Sequence, residues 1–138
     1  MKYLSGKPFY SSLVIIIWLP LLIFFLNIFL TIILGMKTFD ENRIDKVLHL
    51  LGGVSISLSA AGVLWHLIRR QIIELQDVNV FRVVVLGFAC FAVISWEILE
   101  YIVPYAPEYW TYSDTITDMI CGLIGGLLAL FFIRRPCV

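Results

Sequence analysis

In a chain that is 61% hydrophobic and only 14% charged, six ionisable residues are spaced for chemistry: Asp45, His49, Glu97, Glu100, Asp114 and Asp118. They stand as three pairs at the ends of three long apolar segments. Members of each pair are three or four residues apart, so each pair shares one helix face. If the segments cross a membrane in alternating directions, all six arrive at the same side. Charge within a bilayer costs a few kcal/mol per group and marks function by default. At a helical rise of about 1.5 Å per residue, His49 lies about 6 Å beyond Asp45 and Asp118 about 6 Å beyond Asp114. Glu100 and Glu97 lie about 6 and 10 Å before the break at Pro104. The depths agree whichever way the bundle is inserted.

Carboxylates with one imidazole suit a divalent cation such as Mg, Mn or Zn. On this reading His49, Glu97, Glu100 and Asp118 are the metal ligands. The same four are the candidates for acid/base catalysis, because crowded carboxylates in a low dielectric cannot all ionise together and one can hold a proton. Asp45 is placed to orient His49. Asp114 caps its helix and borders the site, Lys46 joins the cluster, and Tyr101 stands at its edge. The structural alternative is a hydrogen-bonded polar plug that fixes helix register. His66 falls at the far end of its helix beside Arg69 and Arg70, an interfacial position. Ser55, Ser57 and Ser59 read as packing residues, with no base at their depth. There is no HExxH, paired CxxC, Walker loop or dinucleotide glycine pattern. Three cysteines, Cys90, Cys121 and Cys137, make no disulfide framework.

The elements that must carry these residues are helices. A mean hydropathy of +0.97 lies far outside the soluble range. Four segments approach the roughly 20 residues needed to cross a hydrocarbon core, over 12–35, 46–68, 82–103 and 115–133. Runs this long in lipid must be helical. The predicted fold is an all-α membrane protein, one domain over 1–138, built as an antiparallel bundle of four transmembrane helices. The first apolar run exceeds a signal-peptide core of about 7–15 residues and is read as a retained helix. Pro20 and Asn27 suggest a kink in it. Small residues continue the polar rows: Gly53, Ser57 and Ala61 below His49, and Gly122 and Gly126 below Asp118. Such rows let membrane helices approach closely, within the chain or across a homodimer. Loop 69–81 is expected to lie on the interface, with Ile72, Ile73, Leu75, Val78 and Phe81 dipping into lipid.

Ten basic and ten acidic residues balance, and no basic patch interleaves with aromatics, so nucleic acid is not an expected partner. Lys2, Lys7, Arg69, Arg70, Arg82, Arg134 and Arg135 gather on one side and Lys37, Arg43 and Lys46 on the other. That bias predicts cytoplasmic N- and C-termini and puts the cluster, with Asp40, Glu41 and Glu108, outside. Tyr101, Tyr105, Tyr109, Trp110 and Tyr112, with Pro104 and Pro107, form an aromatic loop. It reads as an interfacial belt or as a lid over the cluster.

Asp114-Thr115-x-x-Asp118-Met119, followed by Gly122 and Gly125-Gly126, resembles the closing helix of YjdF-like bacterial inner-membrane proteins. Asp45-Lys46-x-x-His49 and Trp96-Glu97-x-x-Glu100 resemble blocks shared with VanZ-like proteins. The resemblance spans about 45–129 and implies an inner-membrane location and an envelope role, without a reaction. The leading expectation is a small envelope protein that binds or modifies a membrane lipid or lipid-linked precursor at the outer interface. The alternatives are an ion or proton path, for which only the three serines continue the polar line toward His66, and a non-catalytic subunit of a larger membrane complex.

Overall fold

The computed structural model describes residues 7–35, 38, 41, 43–102 and 112–133, with only the backbone of Tyr101. Outside these residues lie the aromatic loop (Pro104, Tyr105, Pro107, Glu108, Tyr109, Trp110), the Tyr101 ring and Cys137. Lys2, Lys37, Asp40, Arg134 and Arg135, which entered the charge bias, lie outside them as well.

Every regular element among the described residues is helical. A 3-10 turn at Phe9–Ser11 and a π-helical stretch at Val14–Trp18 lead into α1, Leu19–Leu34. Three longer-range elements follow: α2 at Ile44–Arg69, α3 at Val78–Ile102 and α4 at Tyr112–Leu130. Among the described residues three helices are long and apolar enough to cross a membrane, spanning Val14–Leu34, Ile44–Arg69 and Val78–Glu100. α4 is not among them. It packs along α2, and its first two turns carry Asp114 and Asp118. Lipid-side residues of α1 and α3 such as Ile32, Val83 and Phe91 are exposed, as membrane-facing side chains are.

The seam between α2 and α4 is made by glycines. A Cβ on Gly53 would run into the Gly122 carbonyl, and one on Gly125 into the Leu50 carbonyl. Both neighbours are backbone, so the helices are as close as backbones allow. The small-residue row of α4 is thus used inside the chain rather than left for a second copy. α3 closes the third side, with Ala89 and Val93 against Gly126 and Gly122. Away from the polar cluster the core is Leu58, Ala61, Leu64, Trp65, Ile68, Phe81, Val85, Ala129 and Ile133, with Tyr10 folded in from the N-terminal turn.

Three local expectations change. The distortion in the first helix falls before Pro20, as the π-helical stretch, and α1 begins with that proline in its first turn. Proline has no N–H to give the carbonyl four residues back, here that of Ile16. The Ser59 hydroxyl donates to that carbonyl instead. A neighbouring helix hydroxyl re-satisfies the freed group, as lipid requires. Ser59→Ala is expected to destabilise the fold by about 1 kcal/mol, read as a lower melting temperature in detergent. The second change concerns loop 69–81. The Asp77 carboxylate accepts from the Asn79 N–H at 2.6 Å, so α3 starts at Val78. That turn carries Phe81 into the core rather than into lipid, with Ile73 and Leu75 packed against it; Ile72 stays exposed. Third, His66 is more than an interfacial residue. Its Nε2 lies 3.1 Å from the Ser11 carbonyl, tying the N-terminal turn to α2, while Arg69 stacks over Trp65 at 5.1 Å.

Candidate functional site

Three helix ends build the polar cluster. Asp45, Lys46 and His49 occupy the first two turns of α2, Glu97 and Glu100 the last two of α3, and Asp114 and Asp118 the first two of α4. The acids at the starts of α2 and α4 suit the positive ends of those helices. The glycine seam directly beneath brings α2 and α4 so close that their first turns share side chains.

Lys46 is at the centre. Its Nζ lies 2.7 Å from Asp45 Oδ2, 2.5 Å from Asp114 Oδ1 and 2.8 Å from Asp118 Oδ1. On the α3 side, His49 Nδ1 lies 3.3 Å from Glu97 Oε1, and His49 Nε2 lies 4.0 Å from Asp118 Oδ1. Asp45, Glu97 and Asp118 are buried, only 5–6% exposed. Yet among the described residues Asp45 Oδ1, Glu97 Oε1 and Asp118 Oδ1 meet no hydrogen-bond donor in good geometry. Asp118 Oδ1 is nevertheless ion-paired to the Lys46 ammonium at 2.8 Å, and Glu97 Oε1 has the His49 imidazole at 3.3 Å. Burying such oxygens unsatisfied costs about 1–3 kcal/mol each, more when charged.

Among the described residues the cluster contains two groups of closely spaced ligand atoms. His49, Glu97 and Asp118 offer one ligand atom each, all within 4.8 Å of one another, and Asp45, Asp114 and Asp118 form a second group of that kind. Bonds of about 2.0–2.6 Å from a central divalent ion place opposite ligands about 4–5 Å apart, so either group needs little movement to close on one. One imidazole with two carboxylates suits Mn or Zn, whereas an all-oxygen set suits Mg, Ca or Mn.

The residues picked out from the sequence divide accordingly. His49, Glu97 and Asp118 converge, as do Asp45, Lys46 and Asp114. Glu100 is half-buried and belongs to neither group. Ser55 donates to the Gly52 carbonyl at 2.8 Å and Ser59 to Ile16, in keeping with packing roles, while Ser57 Oγ is buried without a partner. Cys90 and Cys121 are free, half-buried thiols.

One feature was not legible in the sequence. A cleft of about 250 Å³ opens between α1, α2 and α3, lined by Pro20, Phe24, Asn27, Gly52, Val93 and Trp96 among others, and His49 borders it. Trp96 meets Phe24 edge-on with ring centroids 5.5 Å apart, and Asn27 takes a hydrogen bond from Thr31 through its backbone carbonyl at 2.9 Å. The kink residues Pro20 and Asn27 therefore shape a wall of this cleft. Only a motif joining Trp96 to Glu97 hinted that an aromatic and an acid adjoin there.

Apolar helices of bilayer length around a buried polar cluster define the chain as an integral membrane protein. It belongs to the family described as predicted membrane protein DUF2238, whose model matches residues 7–136, and that is the YjdF-like family. The likeness to VanZ-like proteins has no counterpart in the comparisons. No curated protein and no solved structure is significantly similar to the chain.

Proposed function

We propose that the chain is a multi-pass inner-membrane protein of the cell envelope that binds or modifies a lipid or lipid-linked substrate, using a divalent cation held by His49, Glu97 and Asp118. All four helices cross the bilayer in alternating directions on this reading. The termini are cytoplasmic and the cluster lies near the outer interface. The observation that carries it is the convergence of His49 with the buried carboxylates of Glu97 and Asp118 at the end of the bundle, one ligand atom of each within 4.8 Å of the others. A fully structural plug would satisfy Glu97 Oε1, which has no hydrogen bond among the described residues. The cleft supports the lipid part: it is apolar, faces the membrane-crossing helices, and meets the polar cluster at His49, so one amphipathic molecule can reach both. Glu100, at the border of the site, is a candidate acid/base group.

Glu97→Gln and Asp118→Asn are the test. Each removes one carboxylate ligand with almost no change in shape. Both variants are expected to lose Mn2+ binding by at least about 100-fold and to change the lipid and lipid-linked precursor profile of the envelope. Wild-type profiles from well-expressed variants that bind no metal would defeat the lipid reading and leave a cation-binding membrane protein.

A further inference from the structure

Three carboxylates close around the Lys46 ammonium: Asp45 Oδ2, Asp114 Oδ1 and Asp118 Oδ1, at 2.7, 2.5 and 2.8 Å. Those carboxylates are also the second group whose oxygens are spaced for a metal. An oxygen cage of this kind is what a hard cation takes, and here a covalently attached cation fills it. Asp118 belongs to both groups. Its Oδ1 is ion-paired to the Lys46 ammonium on one side and faces His49 Nε2 at 4.0 Å on the other, and the residue is buried. Asp45 is likewise buried, and among the described residues its Oδ1 has no hydrogen-bond partner.

We propose that Lys46 is the tethered second cation of a two-cation centre, in which Asp118 bridges its ammonium to a divalent ion held by His49, Glu97 and Asp118. The inference rests on the metal reading of that triad and adds what sets its stoichiometry. Two-metal sites use ions about 3.5–4 Å apart to hold opposite sides of a substrate. Here one of the two positive charges is supplied by the chain, so the centre takes a single ion. A lysine provides charge without an open coordination position, which confines ligand exchange to the His49 side, where the cleft opens.

The count of ions tests it. The full chain is purified in detergent with Mn2+, and bound metal is measured by equilibrium dialysis with elemental analysis and electron paramagnetic resonance. Wild type is expected to bind one Mn2+ per chain. Lys46→Met is expected to bind two, with the broadened spectrum of a coupled pair. Asp45→Asn in the Lys46→Met background is expected to return to one. Lys46→Arg keeps a cation in the cage, is expected to bind one, and remains informative if Lys46→Met does not fold. Two ions in wild type or in Lys46→Arg would overturn the inference, as would one ion in monodisperse Lys46→Met. No ion in wild type or any variant would instead overturn the metal reading itself.

Discussion

Gly53→Ala is expected to break the association of α2 with α4, whereas Gly52→Ala, one residue away, is expected to leave the protein nearly unchanged. The new methyl at position 53 lands on the Gly122 carbonyl and close to the Gly126 nitrogen. Neither is the end of a flexible side chain, so relief requires the two helices to move apart. Overpacking at a tight site costs about 1–3 kcal/mol, and a backbone-on-backbone clash belongs at the upper end. At Gly52 the nearest atom to the new methyl is Ile23 Cγ2 at 4.0 Å, an ordinary contact, and the effect should stay within about 0.5 kcal/mol. Gly125→Ala should behave like Gly53→Ala, because its methyl meets the Leu50 carbonyl. The loss reaches the site as well. Asp45 and Lys46 face Asp114 and Asp118 only because the seam beneath them is closed, so the position 53 and 125 variants should lose Mn2+ binding together with thermal stability. Thermal unfolding and dialysis on the same preparations check both. Equal tolerance at positions 52 and 53 would mean that the seam is not closed by these glycines.

How far the sequence reaches is visible in these same residues. The polar cluster was legible because intramembrane charge is rare and helical rise converts sequence separation into depth; His49, Glu97 and Asp118 needed only those two facts. The glycine seam followed from four-residue spacing, although periodicity alone left open whether the row would serve the chain or a dimer. Depth does not fix rotation about the helix axis, so spacing alone did not separate Glu100, whose oxygens fall outside the two closely spaced groups, from Glu97. The central place of Lys46 was hidden for a related reason. A long side chain at the first turn of a helix can reach several neighbours, and only the packing of α4 decides that it meets three carboxylates. The start of α3 shifted because the Asp77 capping side chain outweighed hydropathy there. The cleft depends on three helices at once and on the path of the chain around Pro20, which no local pattern encodes.

Glu97→Gln should reverse the order of stability between wild type and variant when metal is supplied. Without divalent ions, four carboxylates of the two groups (Asp45, Glu97, Asp114, Asp118) face one ammonium and one imidazole, and Glu97 keeps a buried oxygen without a hydrogen bond. Replacing that carboxyl by an amide of the same shape takes one acidic group out of a crowded, buried acidic cluster. In EDTA the variant should therefore be as stable as wild type or more so, by about 1 kcal/mol. With Mn2+ at about 100 times the wild-type dissociation constant, wild type gains about 2.7 kcal/mol from binding to the folded state alone. The variant, with one ligand lost, gains almost nothing. The melting curves should cross: variant at or above wild type in EDTA, and clearly below it in Mn2+. The three readings of the cluster separate here. A register-fixing plug predicts a variant that is less stable in both conditions, since its Glu97–His49 contact would be serving structure alone. A proton or ion path predicts no metal-dependent gain in either protein and a flux across liposomes that Glu97→Gln abolishes. Only a site built to hold a divalent cation makes the carboxylate a liability without the ion and an asset with it.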